Sequence, residues 1–147
     1  MEVIKGKSIL DFEEGVICHQ VNCLRKAGAG LALAIRSKYP GWFENWIDNT
    51  PLLGSVHFYM VSINLVIASI YGQVDIGKKI TRVRKQYTEY DALENGLQIV
   101  NHTVPDHWTI YIPKGIGCGL GGGDWKTVSE IIERIIPRAI LVDKESK

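Results

Sequence analysis

Residues 116 to 125 read Ile116-Gly117-Cys118-Gly119-Leu120-Gly121-Gly122-Gly123-Asp124-Trp125 and separate an apolar run that ends at Pro113 from an amphipathic run that begins at Trp125. Six glycines fall between positions 115 and 123, and their entropic cost on folding exceeds what a simple turn requires. In an open α/β sheet, loops between the end of a strand and the start of a helix bind ligands. We therefore predict that this second glycine loop (residues 115–123) surrounds a phosphate with backbone N–H groups.

A first glycine loop, residues 22–30, follows the apolar run from Val16 to Val21. That run is typical of a buried strand, and Leu31 to Ile35 are strong helix formers, so the order is again strand, loop, helix. Gly28 and Gly30 let the backbone approach an anion beside a helix N-terminus, although tight turns alone would explain this loop equally well. Two such loops together favour a diphosphate. The usual P-loop and Rossmann signatures are absent or misplaced, so those enzyme classes are not expected.

The rest of the chain alternates between apolar runs of strand length and helical patterns. Further strands are predicted at Gly54 to Ser62, Leu65 to Tyr71, Trp108 to Ile112 and Ala139 to Val142. Further helices are predicted from Thr88, which we expect to act as the N-cap, and from Asp124. Strands alternating with amphipathic helices indicate a three-layer α/β/α fold with a central mixed, largely parallel sheet. We predict a single domain over residues 1–147.

The charge balance of the chain is close to neutral. Lys and Arg total 17 against 16 Asp and Glu, so the chain has no strong positive field, and general nucleic-acid binding is not expected. The densest basic run, Lys78 to Lys85, is interpreted as a solvated approach to a helix.

Neither a targeting signal nor a metal motif is visible. The N-terminal residues lack the pattern of a secretory signal, and no run approaches the ~18 apolar residues of a membrane span. The chain has three cysteines, Cys18, Cys23 and Cys118, and no CxxC motif. The sequence therefore predicts neither a disulfide framework nor a zinc site. We therefore expect a cytoplasmic protein with no membrane partner, no metal and no cofactor.

Three stretches of this sequence resemble the macrodomains, a family that binds ADP-ribose and related compounds. They are Val3-Ile4-Lys5-Gly6, His19-Gln20-Val21-Asn22 followed by Gly28-Ala29-Gly30-Leu31-Ala32, and the stretch from 116 to 125. The likeness covers nearly the whole chain. It is greatest for the branch with ADP-ribose-1''-phosphate phosphatases and the terminal ADP-ribose protein glycohydrolase, which has relatives in bacteriophages. It implies a macrodomain fold and a ligand that is ADP-ribose or a derivative, and it leaves ADP-ribosylated macromolecules open as partners.

The resemblance also implies how individual residues contact the ligand. Asn22 would touch the distal ribose, Gly28 to Gly30 would hold one face of the phosphates, and Gly117 to Gly122 would hold the other. The complete set of expected ligand-binding residues is Ser8, Ile9, Asn22, Ala27, Gly28, Ala29, Gly30, Tyr71, Gln73, Gly117, Cys118, Gly119, Leu120, Gly121 and Gly122.

The sequence departs from the family pattern at functional positions. The adenine-recognising Asp that usually follows the first Gly is replaced by Lys7, so the base must be selected differently or less strongly. The Lys and Asp of the glycohydrolase branch are replaced by Gly72 or Gln73 and by Gly121. A covalent mechanism based on lysine is therefore not predicted.

Asp124 and His19 are the candidates for catalysis, because each stands beside a glycine loop. Either side chain could activate water toward a phosphomonoester or an ester on the distal ribose. A helix N-cap would explain Asp124 equally well, and a core position is the commoner role for a histidine such as His19. The leading hypothesis is hydrolysis of ADP-ribose 1''-phosphate to ADP-ribose and phosphate. The alternatives are an O-acyl-ADP-ribose deacylase or ADP-ribosyl-protein hydrolase, and a non-catalytic ADP-ribose-binding module.

Aromatic residues offer a stacking surface for adenine. Tyr71 or Tyr87 is the expected stacking residue. Trp42, Phe43 and Trp46 follow the first helix and are expected to form a separate core cluster.

Overall fold

A computed structural model describes residues 1–76 and 85–146 of the chain. In these residues the strands are β1 Val3–Lys5, β2 Gly15–Asn22, β3 Val56–Ser62, β4 Leu65–Gln73, β5 Ile110–Pro113 and β6 Ile140–Asp143. The helices are α1 Gly30–Lys38, α2 Pro40–Trp46, α3 Tyr90–Thr103 and α4 Trp125–Ile135, with a 3-10 turn at Ile9–Asp11.

The strands form one sheet in the order β1-β6-β5-β2-β4-β3. Every neighbouring pair is parallel except β3 and β4, which form an antiparallel hairpin. The prediction of a mixed, largely parallel sheet is therefore confirmed. Because β2 and β5 are neighbours and run in the same direction, the loops that follow them meet at one edge of the sheet.

The central strand β2 shows why helices cover both faces. Val16 and Cys18 pack into a core with α3 and α4, whereas Ile17 and Val21 pack into a second core with α1 and α2. Successive side chains of a strand point to opposite faces, so an almost continuous apolar strand needs a layer of helices on each side. The predicted three layers are confirmed.

Two elements were not predicted. Strand β1 is three residues long, and α2 begins at Pro40, directly after α1. Proline fits the first turn of a helix because its missing N–H would have no partner there. Trp42 and Trp46 of α2 are fully buried against each other, which confirms the expected aromatic cluster.

The prediction that Thr88 caps a helix was wrong. Glu89 is the N-cap residue of α3, and Thr88 forms an isolated bridge with Gln73. The Thr88 hydroxyl instead donates to the carbonyl of Gly117, across the fold. Its oxygen accepts from Nε2 of Gln20 and from no amide of the first turn of α3, where a capping oxygen would accept.

Lys78, Lys79, Arg82 and Arg84 of the predicted basic run lie outside the described residues, and Lys85 is exposed. Within residues 1–76 and 85–146, none of the helices combines the length and apolar character needed to cross a membrane.

Candidate functional site

A cleft of about 910 Å³ opens at the carboxyl ends of the parallel strands. Residues 28–32 line one side, residues of the stretch 115–121 line the other, and the end of β2 contributes residues 19–22 between them. The volume falls in the range of sites that enclose small organic ligands. The sheet order thus brings the two glycine loops together around one cavity.

The first side of the cleft is the N-terminus of α1. Ala29 is its N-cap residue, and no side chain caps the helix. The first-turn amides of Gly30, Leu31 and Ala32 have no hydrogen-bond acceptor among residues 1–76 and 85–146. All three residues line the cleft. An uncapped helix N-terminus carries partial positive charge and unsatisfied N–H groups, which together attract an anion.

The opposite side is the second glycine loop. The amides of Gly119, Leu120 and Gly121 likewise have no acceptor in the described part of the chain, and these residues line the cleft. Gly117 and Gly122 have φ values of +73° and +72°, which side chains rarely tolerate. Glycine at these two positions therefore permits the loop's shape and leaves consecutive N–H groups available to a ligand.

A polar network lies beneath this second loop. The Thr88 hydroxyl donates to the Gly117 carbonyl at 2.6 Å and accepts from Nε2 of Gln20 at 2.8 Å. The same Gln20 amide donates to Oε1 of Gln73 at 2.8 Å, and Nε2 of Gln73 donates to the carbonyl of Asp75. The loop is thus tied by side chains to the ends of β2 and β4.

Asn22, expected to touch the distal ribose, lines the cleft and is largely buried. Its Oδ1 accepts from the amides of Leu24 and Lys26 at 3.0 and 3.2 Å, and its Nδ2 donates to the carbonyl of Lys26 at 2.8 Å. The second Nδ2 hydrogen is the part of this side chain left for a ligand. Asn22 therefore organises the first glycine loop as well as facing the cavity.

His19 lines the cleft but is almost completely buried. Its Nε2 lies 2.6 Å from the Ser69 hydroxyl, which also accepts from the Trp42 indole at 3.0 Å. The Ser69 hydroxyl has one hydrogen and two lone pairs, so while it accepts from Trp42 it can either donate to Nε2 or accept from it. Burial, with a smaller contribution from His57, lowers the pKa of His19 to about 3. The ring is neutral at pH 7, and its Nδ1 is buried without a hydrogen-bond partner among the described residues.

Asp124 lies at the N-terminus of α4. Its Oδ2 accepts from the amide and from the hydroxyl of Thr127, each at 3.0 Å, and its backbone N–H donates to the Tyr90 hydroxyl. Asp124 is exposed and is not one of the described residues that line the cleft. The structure thus places the carboxylate in a helix cap.

Most of the expected ligand residues come together around the cleft, and a few do not. Those that line it are Ser8, Ile9, Asn22, Gly28, Ala29, Gly30, Gln73, Gly117, Gly119, Leu120 and Gly121. Those that are not among its described lining residues are Ala27, Tyr71, Cys118 and Gly122.

Tyr71 lies in the core behind the cleft. The residue is 1% exposed, its ring stacks near Trp46, and its hydroxyl accepts from Asn49 at 3.0 Å. Ala27 is also buried in this core. Tyr87, the other candidate for stacking, is half-buried and not among the described cleft residues.

The described lining carries more positive than negative charge. Its charged side chains are Lys7, Lys26, Lys114, Lys144, Asp143 and Glu145. Nζ of Lys114 lies 3.4 Å from Oδ2 of Asp143. A hydrogen bond from the Glu145 amide, and this lysine, hold the pKa of Asp143 below its ordinary value. The remaining excess of lysines favours an anionic ligand.

Sequence reasoning missed Gln20, Thr88 and the cleft lysines. Gln20 stands in the quoted stretch His19 to Asn22, and its place at the carboxyl end of a buried strand was a signal for a site residue. No local signal identifies Thr88, because its partners are 68 and 29 positions away in the chain.

No family model matches the sequence. No curated protein matches it either. Solved structures match over almost the whole chain. A protein of unknown function from Bacteroides thetaiotaomicron is 29% identical, with a TM-score of 0.78, and the match covers 97% of this chain and 98% of that chain.

Two structural neighbours have a named fold or ligand. A macrodomain protein from Streptomyces coelicolor is 24% identical, with a TM-score of 0.70 over 97% of this chain and 98% of that chain. Thermosipho africanus DarTG in complex with ADP-ribose is 16% identical, with a TM-score of 0.76 over 97% of this chain and 41% of that chain. The resemblance seen in the sequence is confirmed at the level of the fold: this chain has the macrodomain fold.

Proposed function

We propose that this chain binds ADP-ribose, or an ADP-ribose derivative, in the cleft between its two glycine loops. The observation that carries the proposal is the pair of facing amide groups. Gly30, Leu31 and Ala32 on one side, and residues 119–121 on the other, have N–H groups without an acceptor in the described chain. These amides are open to the cleft, so a ligand that supplies acceptors on two sides can accept hydrogen bonds from both sets at once.

A diphosphate is the chemical group that suits this arrangement. Its two phosphates present acceptor oxygens to both sides at once, and its negative charge is stabilised by the N-terminus of α1. Besides the two loops, the cleft is lined by Asn22 and His19 of β2 and by Ser8, Ile9 and Glu145. A ligand with a group on each side of a diphosphate fits such a cavity, and ADP-ribose has that form.

The structural comparisons support the same ligand. Thermosipho africanus DarTG, which shares the fold over 97% of this chain, was solved in complex with ADP-ribose. The family resemblance of the loops points to the same compound.

Hydrolysis of ADP-ribose 1''-phosphate stays a prediction. Asp124 accepts two bonds from Thr127 within its own helix, and His19 is a neutral, buried ring whose Nε2 is engaged by Ser69. Binding therefore receives more support from the geometry than water activation does.

Calorimetric titration with ADP-ribose tests binding, and phosphate release from ADP-ribose 1''-phosphate in the same preparation tests turnover. We expect saturable one-to-one binding that weakens as salt rises from 50 to about 500 mM, because the screening length then shortens. Adenosine, which lacks the diphosphate, is the matched control and should bind more weakly. Equal affinity for adenosine and ADP-ribose would contradict the proposed phosphate site, and no binding would overturn the proposal.

The group attached to the distal ribose is tested with three further compounds. O-acetyl-ADP-ribose, an ADP-ribosylated peptide and ADP-ribose 1''-phosphate differ only beyond that ribose. Hydrolysis of one of them would identify the enzyme class. Binding of all three without turnover would support a non-catalytic binding module.

A further inference from the structure

We propose that Thr88 and Gln20 are positioning residues that hold the second glycine loop in its ligand-ready shape. The inference rests on the proposed function and deepens it, because it concerns residues that prepare the phosphate-binding amides. Thr88 is not among the described residues that line the cleft, so its effect on a ligand acts through the loop.

The Thr88 hydroxyl both donates and accepts a hydrogen bond inside the fold. It is 1% exposed, donates to the Gly117 carbonyl and accepts from Nε2 of Gln20. A buried hydroxyl that both donates and accepts fixes the distance between its partners, since losing either bond leaves a buried polar group unsatisfied. The end of β2 is thereby joined to the start of the loop.

The Gly117 carbonyl is also where the loop closes on itself. It accepts from the Gly123 amide at 2.9 Å as well as from Thr88 at 2.6 Å. A carbonyl oxygen has two lone pairs, and both are used here. Thr88 therefore anchors the point at which the two ends of the loop meet.

Backbone bonds from the same segment orient the middle of the loop. The amides of Tyr87 and Thr88 donate to the Gly121 carbonyl at 2.7 and 2.9 Å, and the Gly122 amide donates to the Gly119 carbonyl at 3.0 Å. The C=O and N–H of one trans peptide unit point in opposite directions. Because the Gly121 carbonyl is held by residues 87 and 88, the Gly122 amide of the same peptide unit points the opposite way, toward the Gly119 carbonyl. The bond to that carbonyl in turn makes the Leu120 amide point away from Gly122.

The network also fills the position where the glycohydrolase branch has its Asp. A Cβ added to Gly121 would lie 2.6 Å from Oγ1 of Thr88, 2.8 Å from the Gly117 carbonyl and 3.0 Å from Oε1 of Gln73. A side chain does not fit there while the neutral network is present. The chain has the Thr88 hydroxyl and the amides of Gln20 and Gln73 beside the position where the resemblance implies an Asp.

The test replaces Thr88 with Val, which has nearly the same shape but neither donates nor accepts, and compares it with Thr88→Ser, which keeps the hydroxyl. We expect the dissociation constant for ADP-ribose to rise about tenfold in Thr88→Val and to stay within about twofold of wild type in Thr88→Ser. Thr109→Val is the control for the substitution itself, because Thr109 is half-buried and its side chain has no hydrogen bond among the described residues.

Thermal unfolding of each variant separates positioning from a general loss of structure. If Thr88→Val does not fold, Gln20→Met removes the bond to Thr88 from the other side, and we expect an affinity loss of about threefold or more. Folded Thr88→Val with wild-type affinity would overturn the inference, and so would a Thr88→Ser variant as weak as Thr88→Val. Wild-type protein that fails to bind ADP-ribose would instead count against the proposed function.

Discussion

The N-termini of α1 and α4 lie beside the two glycine loops at the same edge of the sheet, but only the N-terminus of α4 is capped by a side chain. At α4, the Asp124 carboxylate accepts from the amide and hydroxyl of Thr127. At α1, the N-cap residue is Ala29, and its first-turn amides have no side-chain cap. The α4 N-terminus is thus capped within the protein, whereas the α1 N-terminus keeps amides that a ligand can bind.

This difference teaches which of the two termini a ligand uses. A capping carboxylate neutralises the partial positive charge of a helix N-terminus and occupies its amides. The α1 terminus keeps both, and its first three residues line the cleft. The second phosphate contact comes from the loop before α4, because the loop amides at residues 119–121 are unpaired within the described chain.

The largest expected effect comes from giving α1 the cap that α4 has. Ala29→Asp places a carboxylate over the free amides, where it would compete with and repel a phosphate. We expect ADP-ribose affinity to fall about 100-fold, since charge repulsion adds to the loss of the amides. The free energy of unfolding should rise by about 1 kcal/mol, because the helix gains a cap. Calorimetry and urea unfolding measure the two quantities.

Ala29→Ser is the matched control for that prediction. Serine also caps a helix but carries no charge, so it should stabilise the fold similarly and weaken binding by only a few fold. The position is exposed and its backbone is extended, so either side chain fits. An Ala29→Asp variant that binds like wild type would show that the α1 terminus is not the phosphate site.

The two loops could be recognised from the sequence because their signals are local. Glycine density, apolar strand length and helical periodicity all appear within about 20 residues of each loop. The order of the strands cannot be read in this way. The pairing of β2 with β5 brings the loops that follow these strands to one cleft, and the two helix N-termini can be compared only once that pairing is known.

Other parts of the site depend on contacts that are distant in the sequence. Thr88 resembles a helix cap locally, but its hydroxyl bonds to Gly117, 29 positions away, and accepts from Gln20, 68 positions away. Tyr71 was expected to stack on adenine because it lies near a strand end. Its side chain instead points to the α2 face, where Trp46 covers it. Position along a strand was predictable, whereas the neighbour on each face was not.

The next largest effect is expected at Gly121, in the second glycine loop, whose amides take the role that the capped α4 N-terminus cannot. Gly121→Ala brings a Cβ to 2.6 Å from Oγ1 of Thr88 and 2.8 Å from the Gly117 carbonyl. The loop must shift, so we expect the free energy of unfolding to fall by about 1–3 kcal/mol and the affinity for ADP-ribose to fall about tenfold. Urea unfolding and calorimetry measure both.

Gly119→Ala is the control for stability in the same loop, since an added Cβ there has no atom within 4 Å. Its free energy of unfolding should stay within about 0.5 kcal/mol of wild type. If both alanine variants are equally stable, the packing of Thr88 against Gly121 is looser than the structure indicates.

A smaller effect is expected at the capped terminus. Asp124→Ala removes the α4 cap and should lower the free energy of unfolding by about 1 kcal/mol, while Asp124→Asn keeps most of it because Asn also caps well. ADP-ribose affinity should change less than twofold in both, since Asp124 is not among the described cleft residues. Turnover of ADP-ribose 1''-phosphate that is present in wild type and lost in both variants would assign Asp124 to catalysis instead.

The smallest expected effect is that of pH on ADP-ribose affinity. It distinguishes phosphate binding by the fixed partial charge of the α1 N-terminus from binding by a histidine that gains charge on acidification. Burial lowers the pKa of His19 to about 3, so the ring stays neutral as the pH falls from 7.5 to 5.5. A histidine with an ordinary pKa of about 6.5 would gain positive charge over that interval and strengthen phosphate binding. Because the α1 amides carry charge that does not titrate, we expect ADP-ribose affinity to change less than twofold. The prediction would be contradicted if affinity rose on acidification in wild type but not in His19→Gln. That result would show that His19 becomes protonated when the ligand binds and that the α1 N-terminus does not supply all of the positive charge.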